Sequence, residues 1–86
     1  MSGGHFDYNQ HHIREIADEI ERAIAKNPNA EAEYRFSDKT ISQLLKGVKA
    51  LRVAEAYAQR IDWLLSGDDG EESFYKRLKD DLEEIK

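Results

Sequence analysis

Between Asn9 and Lys26, apolar residues fall at Ile13, Ile16, Ala17, Ile20, Ala23 and Ile24, a three- and four-residue rhythm. That rhythm puts them on one face of an α-helix. Arg14, Asp18, Glu21 and Arg22 take the opposite face and are expected in water. Asn27-Pro28-Asn29 ends the helix, because a proline biases its predecessor away from the α region. A second and longer stripe follows at Ile41, Leu44, Leu45, Val48, Leu51, Ala54, Ala58, Ile61 and Leu65. Without Leu45, every step is three or four, close to the heptad seam of paired helices. The stripe lasts about 25 residues, roughly 38 Å of helix. Ser37-Asp38-Lys39-Thr40 supplies side-chain oxygens to cap its start. Phe74, Leu78, Leu82 and Ile85 mark one side of a third helix, whose acidic end opposes the helix dipole and should fray.

These patterns predict an all-α fold in one domain over residues 1–86: a small three-helix bundle built on a long central helix. The helices are expected at 9–26, 38–66 and 70–85, after an N-terminal segment over 1–8. The short connector favours antiparallel packing of the first two helices. Tyr34 and Phe36, within the polar connector Ala30 to Phe36, are expected to fold back as a lid on the core. The central helix outlasts the first, so part of its stripe must meet the third helix or another copy of the chain.

A hydrophobic share of 40% beside 36% charge implies a thin core. A domain of this size buries only roughly 60–65% of its unfolded surface, so a homo-oligomer is expected. The net charge of −5 repels nucleic acid, and Lys46, Lys49 and Arg52, or Lys76, Arg77 and Lys79, make no strong basic stripe. No direct nucleic-acid binding is expected. Without cysteine there is no disulfide framework, thiol nucleophile or cysteine zinc site. No signal-peptide pattern and no long apolar run occur, so a cytoplasmic protein without membrane contact is the expectation.

The stretch Asp62 to Phe74, DWLLSGDDGEESF, gathers acidic residues and two glycines beside the only tryptophan. Gly67 sits where a left-handed helix C-cap is wanted, and Asp69 and Glu72 have capping-box spacing. A calcium loop is not indicated, since the D-x-[DN]-x-[DN]-G spacing is absent. The exposed turn is left as a contact for a partner or ligand. Arg60, three residues before Trp63, can stack on the indole.

Catalytic signatures are missing: there is no Gly-rich phosphate loop, H-E-x-x-H, G-x-S-x-G or Glu-x-x-His pair. His11, Glu15 and Glu19 share a helical stripe but read as a solvated face, so neither a metal nor a cofactor is expected. At the N-terminus, Asp7 or Asn9 can cap the first helix while Phe6 staples onto its first turn. Gly3-Gly4 before His5 is left unexplained by that role. The candidate partner- or ligand-binding set is therefore His5, Phe6, Asp7 and Tyr8 with Arg60, Trp63, Asp68 and Asp69. They form one patch if the N-terminus crosses the joint between the second and third helices.

At these same residues the chain resembles a group of short, uncharacterised proteins of bacteria and their phages. The resemblance lies in Ser2-Gly3-Gly4-His5-Phe6-Asp7-Tyr8, in Ile13 to Ile20, and in Tyr57 to Leu64 running into Ser66-Gly67-Asp68-Asp69-Gly70-Glu71. It covers most of the chain apart from the connector near Pro28 to Phe36. It implies a phage or mobile-element setting, inside a bacterial host cell, and no catalytic activity. The functional expectation is a non-enzymatic protein that binds a protein partner, with inhibition of host defence as its most concrete form. The rival expectation is a sponge that sequesters a small nucleotide signal without cleaving it. A sponge should set aromatic faces beside cations in a pocket, whereas a protein binder should show an exposed face without one.

Overall fold

A computed structural model of the chain describes residues 9–85. The order is α1 (Gln10–Lys26), two 3-10 turns (Asn27–Asn29 and Ala32–Tyr34), α2 (Asp38–Leu65) and α3 (Glu71–Ile85). No strand occurs among the described residues. The fold is all-α, with α2 as the central helix and both α1 and α3 packed on it.

Inter-helix bonds fix the directions. Gln10 reaches Gln59 and Asp62, Arg14 reaches Glu55, and Asp18 and Glu21 both reach Arg52. The partner number falls as the α1 number rises, so α1 and α2 are antiparallel. Arg60 pairs with Asp81 and the α2–α3 joint residue Asp69 with Arg77, so α3 also runs back along α2. The α1 and α3 backbones do not approach each other closely, which leaves α2 as the floor of an open groove.

Local chemistry explains the ends of α2. Ser37 is its N-cap, and its hydroxyl accepts from the Thr40 N–H at 3.3 Å. At the other end Gly67 has φ +83°, the left-handed conformation that only glycine takes without a Cβ penalty. The Asp68 N–H donates to the Trp63 carbonyl and the Gly67 N–H to the Leu64 carbonyl, the two bonds of a Schellman motif.

Two expectations are corrected. Asn9 stands at the N-cap position of α1 in helical conformation and makes no side-chain capping bond. The connector is no lid, since Tyr34 is 71% and Phe36 51% exposed. The Asn27 side chain clamps the Phe36 backbone in both directions, which fixes the chain while leaving the ring in solvent. The polar face of α1 lies largely in water, as expected, and Arg14, Asp18 and Glu21 on it also pair with α2.

The core is thin. Among the described residues, only Ala17, Val48 and Leu78 are buried apolar side chains, while Gln10 and Asp62 are buried polar ones. Ile16, Leu45, Tyr57 and Leu65 remain substantially exposed. The molecule spans 51 × 24 × 13 Å, so its shortest dimension is little more than one helix thick.

Candidate functional site

Among the described residues, the α2–α3 joint brings charged and aromatic side chains together. Because Gly67 turns the chain sharply, the Asp68 and Asp69 N–H groups both point at the Trp63 carbonyl, at 2.9 and 3.3 Å. Trp63 is half-buried, and the Arg60 guanidinium lies over its ring at 5.0 Å from the centroid. That is the cation–π stack expected from their three-residue spacing. Arg60 also grips Asp81 with two bonds, Nε to Oδ2 at 2.6 Å and Nη2 to Oδ1 at 3.2 Å. The Asp81 hydrogen bond, opposed by burial and helped by the charges of Asp81 and Asp69, raises the Arg60 pKa above its ordinary value.

Asp69 departs from its expected role. Helix α3 starts at Glu71, and the Phe74 N–H bonds to the Gly70 carbonyl, so no Asp69–Glu72 capping box forms. The Asp69 carboxylate instead accepts from Arg77 Nη1 at 3.2 Å, with its side chain only 4% exposed. Its other oxygen, Oδ2, is buried and accepts no hydrogen bond. The Asp69 carboxylate also acts on the Arg60 guanidinium through its charge.

Arg60, Trp63, Arg77, Asp80 and Asp81 line a shallow cleft of about 300 Å³ beside this cluster. Arg60, Trp63 and Asp69 are thus brought together, while the Asp68 side chain stays in solvent at the edge of the turn. His5, Phe6, Asp7 and Tyr8 lie outside the described residues. Arg77, Asp80 and Asp81 belong to the cleft but were not expected in it. Their signal was available, since positions 77 and 81 share one face of α3 by their four-residue spacing.

A second polar centre lies inside the α1–α2 pair. Asp62 is fully buried, and Gln10, 2% exposed, donates from Nε2 to Asp62 Oδ2 at 3.0 Å and to Gln59 Oε1 at 2.9 Å. Among the described residues, no group of three or more His, Cys, Asp or Glu side chains is arranged to hold a metal ion. No described helix is long and apolar enough to cross a membrane. No family model, curated protein or solved structure matches this chain.

Proposed function

We propose that this chain is a non-enzymatic interaction protein that grips a protein partner at the α2–α3 joint. One observation carries the reading. Both guanidiniums of the cleft are already bound to carboxylates of the same chain, Arg60 to Asp81 and Arg77 to Asp69. A nucleotide phosphate would have to displace those carboxylates, and the nearby Asp80 repels it. A protein surface has no such conflict: it can cover half-exposed Trp63 and interleave its own charges with the rim. Tryptophan and arginine are the residue types that dominate protein interfaces energetically.

The setting follows from the resemblance. It is a phage or mobile-element protein acting in a bacterial host cytoplasm, most concretely as an inhibitor of host defence. The cleft does set Trp63 beside Arg60 and Arg77, as a sponge should, but both arginines are answered by carboxylates of the same chain, and that makes the nucleotide sponge the weaker reading. The test is affinity capture from host cells with the intact chain, repeated with Trp63→Ala and Arg77→Glu after circular dichroism shows both folded. The proposal expects a partner polypeptide that the intact chain retains and both variants lose. A partner held equally by all three proteins contradicts the joint as the grip.

A further inference from the structure

The α1–α2 pair is two-sided. With Glu55 and Asp62 taken as the line that meets α1, Arg60 and Trp63 lie roughly 110° round the helix toward α3. Leu51, Ala54, Ala58, Ile61 and Leu65 lie roughly 80° round in the opposite sense. The same split runs along α1, where Arg14, Asp18 and Glu21 occupy the ion-paired flank and Ile13, Ile16 and Ile20 the other. Ile13 and Ala58 line one shallow recess, which shows the two apolar flanks meeting on one surface. Nothing among the described residues covers that surface fully: Ile16 is 50% and Leu65 55% exposed, and Ala54 is exposed.

We infer that a second copy of this chain covers this face, joining two α1–α2 hairpins into a four-helix bundle about a two-fold axis near Ala54. The area argues for it. A compact monomer of 10.0 kDa exposes about 5,200 Å², and this chain exposes 6370 Å². The surplus of roughly 1,100 Å², spread over an elongated chain, leaves room for the ~800 Å² that each partner contributes to a stable interface. The radius of gyration agrees, at 16.2 Å against about 12 Å for a compact chain of this length.

Shape selects a copy of the chain over an unrelated protein. An axis at Ala54 sets each alanine against its own counterpart and Gly47 against Ile61 of the second copy, small against large. Gly47 has no other evident reason to be glycine. It lies in the middle of α2 with nothing within 4 Å of where a Cβ would stand, yet a mid-helix glycine is unfavourable. A close helix approach across the axis explains it. The face lies on the far side of α2 from the Arg60–Trp63 cleft, so the dimer leaves the proposed grip open and does not depend on it.

The experiment is sedimentation of the full chain with two variants. The intact chain is expected at twice its 10.0 kDa mass at micromolar concentration. The chain has no cysteine, so Ala54→Cys introduces a lone thiol on the axis, which should oxidise to a covalent dimer. Ala54→Glu should fold, because Ala54 is exposed within its own chain, and should weaken dimerisation at least about tenfold by placing a charge in an apolar seam. A chain that sediments as a monomer overturns the proposal. So does a dimer whose Ala54→Cys variant fails to cross-link. If the glutamate variant does not fold, the cross-link decides.

Discussion

Gln10 Nε2 donates to Asp62 Oδ2 at 3.0 Å, with the carboxylate fully buried between α1 and α2. A buried carboxylate without donors is costly, so this contact helps the first residue of α1 to seat the last quarter of α2.

Gln10→Ala should therefore destabilise the protein by about 1–3 kcal/mol, although it removes only one neutral side chain. Gln10→Glu should cost more, because it sets a second carboxylate beside Asp62. Urea unfolding of the three proteins measures both. An alanine variant within about 0.5 kcal/mol of the parent would mean that Asp62 does not rely on Gln10.

Arg60 and Asp81 tie α3 to α2 through a forked pair whose side chains are 17% and 28% exposed. Asp81→Asn should cost about 1–2 kcal/mol, and Arg60→Lys nearly as much, because an ammonium cannot reproduce the fork. The loss should be local. Amide exchange should quicken in α3, whose acidic C-terminal turn already opposes the helix dipole, while α1 keeps its protection. Equal acceleration in α1 and α3 would contradict a local tie.

Arg52 bridges Asp18 and Glu21 at 2.7 and 2.9 Å, but both carboxylates are about half in water. Asp18→Asn or Glu21→Gln should each cost less than about 1 kcal/mol, and molar salt should erase most of that. The hydrogen bonds that Arg52 donates to Glu21 and then to Asp18 raise its pKa above the ordinary arginine value. A raised pKa gives stability that persists below the unfolded value and is lost only as pH climbs through the folded one. The contribution should therefore stay constant from neutral pH to about pH 10, as a pH series of unfolding midpoints would show.

Gly67→Ala forces a side chain into φ +83° at the Schellman turn and should lower stability by about 1 kcal/mol. Space is not the cause, since nothing lies within 4 Å of the new Cβ. A thermal scan that shows no loss would mean that the turn can relax.

Some of this was legible in the residues. Ser37 and Gly67 announce the ends of α2 because capping is local chemistry, and the Arg60–Trp63 stack follows from spacing within one helix. The rotation of α1 on α2 was not legible in the apolar stripe. Continuing the seven-residue step from Ile41 and Val48 lands on Glu55 and Asp62, and those polar side chains are the ones that meet α1. Gln10, Arg14 and Arg52 set the rotation by finding partners, which leaves Ala54 and Leu65 uncovered. Asp69 fits a capping box by spacing, yet Arg77, one turn inside α3, offers it a charge-assisted bond. Phe36 faces solvent while Asn27 anchors its backbone, a contact that no periodicity announces.

We propose that the chain works by holding a protein, with its own carboxylates occupying the cleft cations. Native mass spectrometry of the protein purified from its own host tests this most directly. The account predicts masses built only from polypeptides: copies of this chain, alone or with a partner chain that Trp63→Ala releases. An added mass of nucleotide size on each copy, lost when Arg60 or Arg77 is replaced, would contradict it and make the cleft a small-ligand site.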